Sequence, residues 1–152
     1  NFYEERGSRF PGMRTGRINS NTPIYQEIYF KLKKIFNIDS DKKIDLNIYF
    51  HCHLDIPKRP WIHVDGYETQ YIGLIYLHPE PKSNSGTFLY WPKEHTFVHS
   101  NDPNDFVLDQ EIENKFNRLI CYDPMQYHRP GEPFGKSIEE GRLSLLYDFR
   151  VY

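Results

Sequence analysis

A chain of 152 residues with a formal charge of -2 has room for one hydrophobic core, and it gives no electrostatic reason to expect nucleic-acid binding. Aromatic residues make up 16% of it, with 12 Tyr and 11 Phe, while 9 Gly and 11 Pro supply corners; this is the balance of a β-rich domain and argues against a helical bundle. Cys52 and Cys121 stand far apart with no C-x-x-C partner, which argues against a disulfide scaffold or a thiolate zinc site and suits buried, reduced thiols in a cytoplasmic protein. No run of 18 apolar residues and no charged-then-apolar leader occurs, so neither a membrane span nor a signal peptide is expected. The chain opens on Asn1 rather than Met, so residues are expected upstream; residues 1–152 read as a single domain.

The opening segment, NFYEERGSRFPGMRTGRINSN, is polar, broken by Gly and Pro, and reads as loop. Thr22 and Pro23 then form an N-cap and first-turn proline ahead of Ile24, Ile28, Leu32 and Ile35 with Phe36, an apolar stripe at helical spacing. Lys31, Lys33 and Lys34 fall near its end, where cations suit the helix dipole. From Lys43 the period changes from 3.6 to 2. IDLNIYFHCHL reads as a strand with Leu46, Ile48 and Phe50 on one face and Asn47, Tyr49 and His51 on the other. After the Pro-rich loop IPKRP come the strand-like WIHVDG, the buried strand YIGLIYLHP, the turn PEPKSNSG and the strand GTFLYWP. Lys93 to Asn114 reads as a long polar excursion with one short element at FVLDQEIE. NRLICYDP, MQYHRP, the loop GEPFGKSIEEG and RLSLLYDFRVY complete the chain. Short strands between turns, preceded by one helix, predict a jelly roll with an N-terminal buttressing helix.

Chemistry concentrates in three places. His63 and Asp65 are two apart on a strand, so both side chains face the same way and one metal can take both. His128, at the end of a β-like run, supplies a third ligand from a neighbouring strand. Two histidines and a carboxylate on one face of an octahedron leave three positions open, the arrangement of non-haem Fe(II) oxygenases. Arg142 opens the last apolar run, where a guanidinium grips the far carboxylate of a dicarboxylate through two charge-assisted bonds.

The H-x-D pair, distal His and following Arg, in that order, resemble the 2-oxoglutarate and Fe(II)-dependent oxygenases. The chain is most similar to prolyl-hydroxylase-like members, and among them to an uncharacterised phage and bacterial group with an FPG-x-R stretch before the helix, here FPGMR from Phe10 to Arg14. The resemblance implies a double-stranded β-helix in the cytoplasm of a bacterial host, with Fe(II) held by His63, Asp65 and His128. It implies that Arg142 and Ser144, as an R-x-S pair, and Tyr76 meet the outer carboxylate of 2-oxoglutarate, with Tyr49 or Asn47 near its inner end. A departure is the longer loop between His128 and Arg142, bounded by Gly131 and Gly141. The implied reaction consumes O2 and 2-oxoglutarate, with ascorbate as a possible helper, hydroxylates a peptidyl or small-molecule substrate and releases succinate and CO2. Halogenating relatives replace the carboxylate with a small residue, so Asp65 favours hydroxylation.

Rival residues have plainer readings. Arg129 directly follows His128 and so faces away from the metal, and Arg150 comes too late in the last strand. His51, His53 and Asp55 in HCHLD begin a cupin-like or zinc motif but lack the following Glu, so they read as ordinary strand residues. His78, His95 and His99 read as loop or rim residues, and Trp61, Tyr67 and Trp91 flank the metal mouth. The rival functions are a non-catalytic jelly-roll binding module and a cupin-like metal isomerase or epimerase.

Overall fold

The computed structural model describes residues 1–3, 12–56, 61–93 and 102–152. Phe10 and Pro11 of FPGMR, residues 57–60 of the Pro-rich loop, and His95 and His99 lie outside the described residues. The helix forms where the capping signals place it: α1 spans Pro23–Ile35, and Thr22 Oγ1 accepts from the Tyr25 amide at 3.4 Å. Lys33, in the last turn, donates to the carbonyls of Ser40 (3.0 Å) and Lys42 (2.7 Å) and ties the helix end to the following turn. The buried face is rotated from the isoleucine stripe. Ile28 and Leu32 are buried, but Ile24 and Ile35 are 40% and 57% exposed, and Tyr25, Tyr29 and Phe36 pack in their place. The large rings bury more area than the isoleucines they displace, so they set the face.

Two antiparallel sheets make a mainly β, jelly-roll-like sandwich. The large sheet has the order β1 (Phe2–Tyr3), β2 (Gly12–Thr15), β3 (Ile44–His53), β9 (Arg142–Val151), β4 (Tyr71–Tyr76), β7 (Leu119–Tyr122). The small sheet has the order β6 (Phe106–Ile112), β5 (Thr87–Pro92), β8 (Tyr127–Pro130). The opening segment thus contributes two short strands at one end of the large sheet, and FVLDQEI is a seven-residue strand rather than a brief element in a loop. RLICYDPMQYH, one run in sequence, divides at Asp123–Gln126 into β7 and β8, which belong to different sheets. Among the described residues no helix is long and apolar enough to cross a membrane.

The large sheet has two unlike faces. Ile44, Leu46 and Ile48 of β3 and Leu145, Tyr147 and Phe149 of β9 pack with Ile28 and Leu32 of α1 into the main core. Residues directly opposite across an antiparallel pair share a face. On the inner face the pairings build rows across the strands: Arg14, His51, Ser144 and Tyr76 form one, and Gly12, His53 and Arg142 the next. Leu146 with Leu74, and Ile72 with Tyr122, extend that face toward His63, Asp65 and His128.

Candidate metal centre and cavity

Between the sheets lies a cavity of about 240 Å³. One wall is the segment 61–66, which joins the small sheet through a single antiparallel bridge to β8: His63 and His128 exchange amide-to-carbonyl bonds of 3.0 and 2.9 Å. The Asp65 amide donates to the Pro124 carbonyl at 2.8 Å, and Gly66, at φ 100°, turns the chain away. Alternation then orients the segment. Ile62 and Val64 join Phe88, Tyr90, Phe106 and Tyr127 in an apolar cluster on the outer side of the small sheet, so His63 and Asp65 face the cavity. The segment read as a strand is therefore extended chain held by a few bonds and by where its two apolar side chains go.

His63, Asp65 and His128 bring their ligand atoms within 4.8 Å of one another. His128 Nε2 lies 3.2 Å from one Asp65 oxygen and His63 Nε2 lies 3.8 Å from the other; the imidazole centroids are 4.4 Å apart. Both rings are oriented alike. His63 Nδ1 lies 3.0 Å from the Trp61 carbonyl and His128 Nδ1 2.9 Å from the Gln126 carbonyl, contacts in which only an N–H can satisfy the oxygen. The tautomer assigned by these bonds leaves each Nε2 with a bare lone pair aimed at the common centre. Burial, reinforced by the His63 ring, holds His128 down to about 3, so its imidazole is neutral across the physiological range. Burial raises the Asp65 carboxyl, against the pull of His63. A divalent cation reverses that rise, because it removes the reason a half-covered carboxylate resists ionising. The donor set fits a first-row divalent metal.

At the far end of the cavity Arg142 is fully buried. Its Nε donates to the Ser85 carbonyl, Nη2 to the Gly86 carbonyl at 2.9 Å, and Nη1 meets His53 Nδ1 at 3.1 Å. The guanidinium carbon sits 5.4 Å from the Tyr76 ring centroid, and Tyr76 in turn donates to Thr87 Oγ1 at 2.7 Å. Three of five N–H groups are thus committed to neutral acceptors. Among the described residues no carboxylate lies within ion-pair distance of Arg142. Burial lowers its pKa and the neighbouring tyrosines oppose the shift, yet a guanidinium stays charged. A buried cation among neutral dipoles calls for an anion.

Of the residues expected at the co-substrate, Arg142 and Ser144 line the cavity, and Tyr76 lies against Arg142. Tyr49 and Asn47 share the inner face of β3 but do not line the cavity. Asn47 Nδ2 donates to Asp148 at 2.7 Å, and Tyr49 lies within electrostatic reach of Arg17. His51 and His53 stand on the stretch of β3 that reaches the cavity, and among the described residues they join no metal-ligand group. Burial is the largest cause holding His51 at about 3 and His53 well below its usual value; Arg14 and Arg142 reinforce the first, Arg142 and His51 the second. Tyr122, half-buried with its ring 4.7 Å from that of His128, was not singled out by motif; its signal was alternation with Cys121 on β7. Trp61 lines the cavity beside His63, whereas Tyr67 and Trp91 are 77% and 55% exposed and do not. Arg129 faces away as expected, 4.8 Å over the Phe88 ring, and Arg150 bonds the Tyr67 carbonyl at the other end of β9.

No family model and no curated protein matches the chain. Among the solved structures similar to it overall are two whose identities and coverages follow. One is the crystal structure of IDO from Bacillus thuringiensis, 16% identical over 88% of this chain and 59% of that one, with a TM-score of 0.48. The other is the selenomethionine-labelled Fe(II)/(alpha)ketoglutarate-dependent dioxygenase TqaL, 12% identical over 99% of this chain and 70% of that one, also at 0.48. This chain therefore spans less than two thirds of the length of the first. Likenesses this distant carry no argument about the site, whose reading rests on its own side chains.

Proposed function

We propose that this chain is an Fe(II)- and 2-oxoglutarate-dependent dioxygenase that hydroxylates its substrate and releases succinate and CO2. The observation that carries the reading is a single cavity that holds three candidate metal donors at one end and, at the other, a buried guanidinium with no carboxylate partner among the described residues. The strand orders β3-β9-β4-β7 and, counting the bridged His63 segment, His63-β8-β5-β6 support reading the sandwich as a double-stranded β-helix. Tyr76 beneath Arg142 supports the prolyl-hydroxylase-like variety of that fold.

In this reading His63, Asp65 and His128 hold Fe(II), which supplies open positions for a chelating keto acid and for O2. Arg142 binds the outer carboxylate with the N–H groups that Ser85, Gly86 and His53 leave over, and those three contacts keep the guanidinium from rotating. Tyr76 covers one face of the guanidinium, and Ser144 places a hydroxyl in the adjoining row. Leu74, Ile72 and Leu146 line the space between the two ends and exclude water. Adding Fe(II) and 2-oxoglutarate to metal-free protein without oxygen should produce a visible charge-transfer band, and admitting O2 should convert 2-oxoglutarate to succinate. A protein that binds iron but shows neither would overturn the assignment.

A further inference from the structure

Tyr122 ends β7 opposite Ile72 of β4, and both side chains stand on the inner face of the large sheet and line the cavity. Its ring packs against the cluster of Leu74, Tyr76 and Ile120 and lies 4.7 Å from the His128 imidazole. The ring is therefore fixed from two sides, by its own sheet and by a candidate metal ligand that belongs to the other. Among the described residues its hydroxyl makes no hydrogen bond. Burial first and then the Asp65 carboxylate raise its pKa, so it keeps its proton and can donate. Tyr76 and Arg142 act on the hydroxyl less strongly than Asp65 does. It thus stands in reach of both ends of the cavity and closer to the metal end.

The metal end is poor in donors. A keto acid that chelates through its keto oxygen and one oxygen of the adjoining carboxylate brings in a second carboxylate oxygen. That oxygen shares the negative charge and, away from water, requires a hydrogen bond. His63 and His128 have given their Nδ1–H groups to the Trp61 and Gln126 carbonyls, and an ionised Asp65 only accepts. Ile72, Leu74 and Leu146, between the two ends, have apolar side chains. Arg142 is held at the far end by Ser85, Gly86 and His53. The indole of Trp61, with its ring 5.0 Å from that of His63, is the rival donor, but it rides on the His63 segment and not on the sheet that carries Arg142. A keto acid stretched between the metal and Arg142 lies along that sheet, where Tyr122 stands.

We propose that the Tyr122 hydroxyl donates to the inner carboxylate of the metal-bound keto acid. The proposal rests on the oxygenase reading above, and it gives Tyr122 the place expected for Tyr49 or Asn47, which do not line the cavity. Its test titrates the charge-transfer band of the full chain, loaded with Fe(II) without oxygen, using 2-oxoglutarate and 2-oxobutyrate. The second probe has the inner carboxylate and lacks the outer one. Tyr122→Phe should weaken both by about tenfold or more and by the same factor, since one charge-assisted bond is lost in each case. Iron content should not change. The band should also move to shorter wavelength, because a donor on the carboxylate lowers the keto-acid orbital that receives the electron. Circular dichroism checks the fold; if Tyr122→Phe does not fold, Tyr122→Leu, which also lacks the hydroxyl, carries the same expectations. Unchanged affinity for both probes overturns the proposal. A loss confined to 2-oxoglutarate overturns it too, by moving the hydroxyl to the outer carboxylate, and so does loss of iron, which would reduce Tyr122 to a support for His128. A loss for both probes in Trp61→Phe with none in Tyr122→Phe gives the bond to the indole instead. Absence of the band in the parent protein overturns the oxygenase reading itself.

Discussion

The two faces of the large sheet are built from the same strands and do opposite things. On β9, Leu145, Tyr147 and Phe149 point to α1 and are at most 2% exposed, while Arg142 and Ser144, equally buried, point into the cavity. On β3 the division repeats, with Ile44, Leu46 and Ile48 toward the helix and His51 and His53 toward the cavity. One face buries apolar area and stabilises the chain. The other buries a guanidinium and several imidazoles, which cost stability and are held by hydrogen bonds to backbone and to each other. Because a strand alternates with period 2, the costly face needs no stabilising contribution of its own.

The comparison can be broken most directly from the core. Phe149→Ala removes a ring packed on Phe36 and Tyr71 and should cost about 3–5 kcal/mol in urea unfolding. Protein that remains folded should keep its metal affinity. His128→Ala is the reverse case. Loss of an outer-shell partner costs roughly ten- to a hundredfold in metal affinity, so loss of a ligand should exceed a hundredfold by titration, while the thermal midpoint of the metal-free protein moves little. A metal-free midpoint that collapses would show that the two faces are not separable.

Smaller effects sharpen the distinction within the cavity. Arg142→Ala should weaken 2-oxoglutarate binding more than tenfold with iron retained, and Arg142→Lys should recover only part, because a point charge lacks the fork. The His51 pKa of about 3 gives the inner face an acid dependence. An unfolded histidine, near 6.5, takes up a proton that the folded one refuses, so metal-free stability is full above about 6.5 and falls as pH drops toward 3. One such group gives a slope of about 1.4 kcal/mol per pH unit within that window, and His51→Gln should flatten the slope measured by urea titration at several pH values. Arg129→Ala should change least. Its ring contact lies on the outer side of the small sheet, so about 0.5–1 kcal/mol of stability should go and 2-oxoglutarate affinity should not.

Much of this was legible in the residues. Period 2 after Lys43, the Thr22–Pro23 cap and the turns placed the helix and most strands, because caps and alternation are local properties. The order of His63, Asp65, His128 and Arg142 named the groups that the fold brings to one cavity, and alternation already turned Arg129 away. Distance along a strand was not legible. Alternation says that Asn47, Tyr49, His51 and His53 share a face, but which of them the second sheet covers depends on where β5 and β8 cross, a contact between residues far apart in sequence. That crossing put His51 and His53 into the cavity and left Asn47 with Asp148 and Tyr49 with Arg17. Arg14 follows the same logic: its neighbours in sequence read as loop, and only the approach of Gly12 to the Cys52 carbonyl makes β2 a strand and turns Arg14 inward. Local chemistry determined which side chains are available and which way they face, and long-range pairing decided which of them meet, because pairing energy is shared between segments that no local window contains.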